Sequence, residues 1–268
     1  MPLSGKSRSK SIAAPARHSG TRRRVSLSRP PEGPGAVLDR ALESLWMAYQ
    51  PIVHASTGSL FGYEALLRSD DPELSSPGAF LDAAEKLGRL HDVGRAVRRK
   101  SLEPMHGAPL DALLFINLHP YELNDPTLTS PSAALIAMAP RVVLEITERA
   151  SLEAIDDLPS RVDRLRELGF RLAIDDLGAG YSGLTSFARL EPEFVKLDLS
   201  LVRDVHKNPI KRKLVRSMTV LCKDMGIAVV AEGIEVVEER DTIVELGCDL
   251  LQGYLFAKPG KAFPQVQR

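Results

Sequence analysis

Ile174-Asp175-Asp176-Leu177-Gly178-Ala179-Gly180-Tyr181-Ser182-Gly183-Leu184 carries an apolar strand into two adjacent carboxylates and then a glycine-rich turn. Successive side chains of a regular strand point to opposite faces, so Asp175 and Asp176 reach one target only if the pleat breaks between them or just after them. Gly178 and Gly180 permit that break, because glycine adopts backbone angles closed to other residues. The stretch is therefore either a metal site at a strand's end or a strand end followed by a helix whose N-terminus an Asp caps. The other strand ends of the chain decide between the two.

Outward from this stretch the chain alternates. Before it, the patterning predicts a short helix over Val37–Leu45, a strand over Trp46–Val53 in which Pro51 forbids a full ladder, a turn at Ser56–Ser59 and a second strand over Leu60–Arg68, making a hairpin. Helices over Pro77–Leu87 and Asp92–Met105 follow, then a strand over Ala112–Leu118, a short helix over Ser130–Ala139, a strand over Val142–Thr147 and a long amphipathic helix over Ser151–Leu168. After the strand Arg171–Asp176 come a helix near Leu184, a strand at Phe194–Leu197, a helix from Ile210 to Met225, a strand at Ala228–Ala231, a helix over Val236–Leu246 and a last strand at Leu250–Leu255. Repeated alternation implies an α/β fold with a parallel sheet under covering helices, most economically closed as a TIM-like (β/α)8 barrel.

At 268 residues and 44% hydrophobic, the chain holds enough apolar surface for one such domain. Its balanced net charge hides an asymmetry. Residues 1–35 carry Lys6, Arg8, Lys10, Arg17, Arg22, Arg23, Arg24 and Arg29 against Glu32 alone, about +7, which leaves the remainder near −7. Rich in Ser, Arg, Pro and Gly, this segment cannot bury enough surface to offset the entropy of ordering, so residues 1–35 are expected to be a disordered basic tail and 36–268 the folded domain. The tail is either a tether to anionic lipid, nucleic acid or an acidic partner, or a solubilising extension. Cys222 and Cys248 show no ligand spacing and are expected to be reduced core thiols. No apolar run approaches the roughly 20 residues of a membrane helix, and a cytoplasmic location is expected.

Chemistry in such barrels gathers at the C-terminal ends of the strands. The residues placed there are Glu64, Asn117, Glu145, Glu148, Asp175, Asp176, Lys196, Asp198, Glu232, Glu235 and Gln252. Period-two reading puts Phe115 with Asn117, Val143 with Glu145, and Lys196 with Asp198 on common faces. Taken singly, each has a plainer reading: a Glu ion-paired with an Arg, an Asp capping a helix, a local Lys-x-Asp pair. Taken together, Glu64, Glu145, Asp175, Asp176 and Glu232 bring about −5 into one cavity, which repulsion and desolvation forbid unless protons or cations compensate. Oxygen donors without His or Cys point to hard ions such as Mg²⁺ or Mn²⁺, and two of them, about +4, leave the site near neutral with Lys196 counted. Metal pairs about 3.5 to 4 Å apart are the usual device for in-line phosphoryl displacement.

Glu64-Ala65-Leu66-Leu67-Arg68 resembles the signature of the EAL-domain cyclic-di-GMP phosphodiesterases. The companion motifs follow in order over about residues 43 to 260: Tyr49-Gln50-Pro51-Ile52-Val53, Asn117-Leu118, Glu145-Ile146-Thr147-Glu148, Asp175 to Ser182, Lys196-Leu197-Asp198, Ala231 to Glu235, and Gln252 to Pro259. The resemblance implies a barrel whose first strand runs antiparallel to its neighbours, and hydrolysis of cyclic di-GMP to linear 5′-pGpG with two Mg²⁺ or Mn²⁺ ions per site. It implies that Glu64, Asn117, Glu145 and Asp175 hold one metal, and Asp175, Asp176 and Glu232 the second. Lys196 orients or helps deprotonate the attacking water, and beside cations it is expected to lose its proton more readily than a free lysine. Glu148 braces the loop from Leu177 to Ser182, Glu235 and Gln252 complete the water and metal shell, and Gln50, Leu66, Arg68 and Asp198 meet the ligand. The family also implies a homodimer through the helix and loop near the second metal, and no sequence-specific nucleic acid as partner.

Three residues depart from the family pattern. Leu177 stands where Phe is common, Ser69 where Trp often follows the signature's Arg, and His119 where Ser is frequent, either as a local variant or as a neighbour of the ligand. A fourth departure is the basic tail in place of a sensor or cyclase domain. The alternative to the enzyme is a receptor that binds the same dinucleotide without cleaving it and acts through a protein partner; such members usually lack acids of the set, and this chain lacks none.

Overall fold

The computed structural model describes residues 33–130, 134–147, 152, 155–178, 183–261 and 263–267, the side chains of 183–186 excepted. The expectations for the tail through residue 32, for Glu148 and for the loop residues Ala179 to Ser182 lie outside these residues.

Eight strands close into one barrel in chain order: β1 Leu45–His54, β2 Leu60–Ser69, β3 Leu113–Asn117, β4 Val142–Thr147, β5 Arg171–Leu177, β6 Phe194–Leu197, β7 Ala228–Ala231 and β8 Leu250–Gln252. β2 through β8 run parallel, and β1 is antiparallel to both β2 and β8. The β1–β8 ladder ends at Ile52, and the next rung on β1 is Tyr49 with Gly260. Pro51, which has no N–H to give, falls in that gap.

The helices are α1 Pro34–Glu43, α2 Pro77–Lys86, α3 Leu90–Leu102, α4 Ala134–Ala137, α5 Leu158–Glu167, α6 Gly183–Leu190, α7 Leu199–Val202, α8 Pro209–Asp224 and α9 Val237–Glu245. Local chemistry sets their starts. Ser76 accepts from Ala79 N ahead of Pro77, and Asn208 accepts from Ile210 N and Lys211 N ahead of Pro209. Two expectations change. The long helix expected from Ser151 begins at Leu158, because Asp157 is left-handed (φ 51°) and Pro159 fits only in a helix's first turn. The last strand stops at Gln252: a side chain at Gly253 would overlap the Ile234 backbone, so the chain turns there against β7's exit.

The barrel interior is layered. Ile52, Leu113, Phe115, Val143, Ala173, Phe194, Val230 and Leu250 form an apolar floor separate from the outer core between strands and helices. Phe61, Phe115 and Phe194 pack there with ring centroids 5.4 to 6.2 Å apart. Such edge-to-face pairs are worth about 0.5–1.5 kcal/mol each beyond the area they bury. Cys222 and Cys248 are free thiols in the core, and burial pushes both up, Cys222 to about 11.

Candidate active site

Two residues beyond six of the floor residues, the same inward face carries a polar side chain. Phe115 leads to Asn117, Val143 to Glu145, Ala173 to Asp175, Phe194 to Lys196, Val230 to Glu232 and Leu250 to Gln252. In β1, which runs the other way, Gln50 precedes Ile52 and pairs with Glu64 of β2. A polar layer therefore rests on a packed apolar one.

Lys196 is the centre of that layer and is 1% exposed. Its Nζ lies 2.6 Å from Glu232 Oε1, 2.8 Å from Glu145 Oε1, 3.2 Å from Asp175 Oδ1 and 3.4 Å from Glu64 Oε2. Gln252 Nε2 donates to Glu64 Oε2 (2.7 Å) and to Gln50 Oε1 (3.3 Å), Asn117 Nδ2 donates to Glu64 Oε1 (3.1 Å), and Gln50 Nε2 donates to the Ala257 carbonyl (3.2 Å).

One ammonium is shared among four carboxylates, and the titration of Glu64, Glu145, Glu232 and Lys196 reflects it. Burial pushes Glu64 up, but the Lys196 charge and the hydrogen bonds from Gln252 and Asn117 outweigh it and hold the carboxyl low. Burial dominates at Glu145, with Glu64 and Asp175 adding to it, so that carboxyl sits well above the usual range despite Lys196. Glu232 is pushed up to about 8 by burial and by the Asp175 and Glu64 charges. For Lys196, burial opposes the charge, yet Asp175, Glu145, Glu232 and Glu64 together hold the ammonium far above its ordinary value. Without cations the carboxylate cage thus holds Lys196 as an ammonium; the expectation of a more readily lost proton concerns the same lysine beside bound cations.

The pleat break falls on Asp176 itself. Its backbone is left-handed (φ 58°), and the β5–β6 register slips between Ile174 and Leu177. Aspartate is among the few non-glycine residues that visit this region at modest cost. The consequence is convergence: oxygens of Asp175, Asp176 and Glu232 all lie within 4.8 Å of one another. Gly178 (φ 103°) then keeps the turn clear of Leu201, which any added Cβ would strike.

The structure thus brings Gln50, Glu64, Asn117, Glu145, Asp175, Asp176, Lys196, Glu232 and Gln252 together. Leu66 and Arg68 stand one and two inward positions further along β2, where the Arg68 guanidinium donates to the Leu67 carbonyl at 2.7 Å. Two residues go elsewhere. Asp198 caps α7, accepting from Ser200 N at 2.9 Å, and Glu235 pairs with Arg203 on the rim, half-exposed. Of the departures, Leu177 is buried opposite Leu197, and Ser69 accepts from Asp71 N and faces Ser44 Oγ, tying β2's end to α1's exit. His119 is a helix cap: Nδ1 accepts from Tyr121 N, and Glu122 Oε1 accepts from His119 N.

Sequence reasoning missed the cluster that holds this cap. Arg95 grips Asp125 through two 2.9 Å contacts, and Arg98 bridges Asp125 and the buried Glu122. Burial pushes Glu122 up to about 7 against the pull of Arg98. Matched spacings of three, Arg95 with Arg98 and Glu122 with Asp125, were the available signal. Gly94 makes room, since a Cβ there would overlap the Glu122 carboxylate. The ties anchor the segment leaving β3, five residues after Asn117.

Among the described residues, Glu145 Oε2 and Gln252 Oε1 are buried oxygens without a donor, while Glu145 Oε1 and Asp175 Oδ1 have the Lys196 ammonium 2.8 and 3.2 Å away. Buried acceptors are rarely left so. An oxygen-rich, acid-dense cavity with unused lone pairs suits a hard divalent cation.

The EAL domain family model matches residues 36–259. Among curated proteins, the cyclic di-GMP phosphodiesterase RocR of Pseudomonas aeruginosa is 35% identical over 224 residues, covering 79% of this chain and 56% of its own. Among solved structures, the PaMucR phosphodiesterase in complex with c-di-GMP superposes with a TM-score of 0.76 at 29% identity, over 85% of this chain and 98% of that one. Klebsiella pneumoniae BlrP1, in a manganese and cy-diGMP complex at pH 6, gives 0.70 at 33%, over 81% and 56%. The chain spans 32% and 56% of the first two curated relatives. No helix among the described residues is long and apolar enough to cross a membrane.

Proposed function

The chain belongs to the EAL domain family, and on that premise we propose that it hydrolyses cyclic di-GMP to linear 5′-pGpG at the layer around Lys196, with two divalent cations, Mg²⁺ or Mn²⁺. One observation carries the reading: three buried carboxylates and the half-buried Glu232 share a single lysine, while Glu145 Oε2 has no donor. The manganese complex of BlrP1 supports the choice of ion class.

Glu64, Asn117, Glu145 and Asp175 are the donors for one cation, and Asp175, Asp176 and Glu232 for the other. When bound, such cations supply positive charge for the phosphodiester and acidify water near neutral pH. The chain's own groups do the rest. Lys196, within reach of four carboxylates, orients the attacking water or helps deprotonate it. Gln252 and Asn117 fix the rotamer of Glu64 by donating to both of its oxygens. Arg68 offers a fork of donors for the phosphate not being cleaved. The Phe61, Phe115 and Phe194 floor excludes water from below, so each of these charges acts in low dielectric. Asp198 and Glu235 act outside this layer, Asp198 holding the start of α7 and Glu235 the rim.

The deciding assay is turnover of cyclic di-GMP by the purified chain with Mg²⁺ or Mn²⁺, with and without chelator, beside Asp175→Asn. Metal-dependent release of pGpG that the variant loses is expected. Tight binding without turnover in the wild-type chain overturns the enzyme in favour of a receptor.

A further inference from the structure

The proposal above gives Trp46, the chain's one tryptophan, no part. Its position gives it one. Along β1, Ile52 belongs to the apolar floor and Gln50 to the hydrogen-bond network around Glu64, so period two places Ala48 and then Trp46 on the same inward face, nearer the mouth. The hairpin register opposes Ala48 to Leu66 and Trp46 to Arg68. Side chains opposed across an antiparallel pair start about 4.5–5.5 Å apart at Cβ. Trp46 is therefore the cross-strand neighbour of the arginine proposed to hold phosphate.

The ring is presented and not simply packed away. It is half-buried, and its indole N–H donates to Asp70 Oδ1 at 2.9 Å, which fixes the edge and hence the plane. Lys261 rests its ammonium 4.6 Å from the ring centroid. The chain beside it is anchored, because Gly260 exchanges backbone hydrogen bonds of 2.8 and 3.0 Å with Tyr49. An aromatic face fixed at its edge, an ammonium over it and an arginine opposite it in the hairpin form the usual recognition set for a nucleotide: stacking for the base, a fork for the phosphate, a cation for the acceptor edge.

Resting on the proposed function, we infer that Trp46 is the stacking platform for one guanine of cyclic di-GMP, and that Lys261 leaves the ring face to meet that guanine's O6/N7 edge. Exchange of the ammonium for a base is favourable, because an exposed cation over an aromatic ring is held more weakly than a stacked base. The reversal of β1 is what makes this possible. Its N-terminal end reaches the mouth, where parallel strands would present their C-terminal ends.

Because Trp46 is the sole tryptophan, its fluorescence reports the contact directly. In rapid mixing with cyclic di-GMP and Mg²⁺, emission should change before turnover, with its half-saturation near the concentration that half-saturates steady-state hydrolysis. Trp46→Ala should raise KM by about 5- to 150-fold, the loss of one stacked base, with kcat within about twofold. Trp46→Phe should restore most of the affinity, and Lys261→Ala should raise KM without altering the wild-type kcat. A wild-type chain that turns over with no change in emission and a Trp46→Ala KM within about twofold overturns the inference and leaves the proposed function standing. So does a Trp46→Phe variant as weak as Trp46→Ala, which would mark a purely structural role. No turnover by the wild-type chain sinks the proposed function itself, and this inference with it.

Discussion

Lys196→Met tests the charge balance on which the site rests. Methionine keeps most of the buried stem and removes the ammonium that Glu64, Glu145, Asp175 and Glu232 share at 2.6 to 3.4 Å. Breaking a buried ion pair by deleting one partner costs about 3–5 kcal/mol, and in a domain of this size about 2–4 °C of Tm accompanies each kcal/mol, so metal-free Lys196→Met should melt about 6–20 °C lower near pH 8. The sign with pH follows from the carboxyls. Glu232, raised from 4.5 to about 8, contributes stability that is fully present below its unfolded value and is lost as pH rises through about 8. Without Lys196 that carboxyl rises further, so the variant should lose stability with pH more steeply than the wild-type chain, and the gap should narrow near pH 5.5, where protons replace the missing cation. Thermal melts followed by circular dichroism, in chelator at pH 5.5 and 8, measure both terms. Divalent cation should recover part of the deficit by mass action. A metal-free variant within about 2 °C of wild type at pH 8 would refute the reasoning, since a shift that small is under about 1 kcal/mol and means the four acids were not held by Lys196.

Other predictions are shorter. Gly94→Ala pushes a methyl into the Glu122 carboxylate and should lower urea stability by about 1–3 kcal/mol; an unchanged midpoint would show that Glu122 moves freely. Glu122→Gln keeps an acceptor for His119 N and leaves Arg98 with Asp125. Because Glu122 is raised to about 7, the wild-type chain loses stability as pH rises through 7, and the Gln variant should lose that segment of the pH profile, read from urea midpoints at pH 5.5 and 8.5. Gly253→Ala places a Cβ against the Ile234 backbone at the exit of β7, so soluble, cooperatively melting protein is not expected; normal expression and melting would show that this turn can open.

How far the sequence could be read depends on what kind of physics placed each residue. Asn117 and Glu145 were legible because strand periodicity is rigid: an inward floor residue forces the residue two positions on to face inward as well. The need for compensating charge was legible for the same reason, since it follows from the number of acids and not from their distances. Asp176 was half legible. The break was placed at the glycines, but the structure makes Asp176, two residues before Gly178, left-handed as well and lets the aspartate begin the turn. Asp198 and Glu235 were less legible, because a residue just past a strand is free to cap a helix or pair on the rim, and periodicity no longer constrains it. The start of α5 was missed because an amphipathic pattern continues through Asp157 and Pro159, whose backbone demands outrank it. The Arg95, Arg98, Glu122 and Asp125 cluster joins two elements about 30 residues apart, which local reading cannot bring together.

The reversed first strand ties these strands of argument together. In β3 through β8 the apolar residue comes first and the polar one follows two places later, so chemistry collects where each strand ends. In β1 the order inverts: Trp46 and Ala48 lie at the mouth, Gln50 in the acid layer and Ile52 in the floor. A rule that looks for chemistry only at C-terminal strand ends passes over the start of β1, which is why Trp46 reads from sequence as an ordinary strand residue. The apolar floor explains why that mouth matters. With phenylalanine rings below and four carboxylates above, the layer can bind only what brings positive charge with it, as cations, protons or Lys196. Affinity for an anionic dinucleotide must therefore come largely from groups above the acids, and the hairpin formed by β1 and β2 is the element that carries Arg68 and Trp46 there.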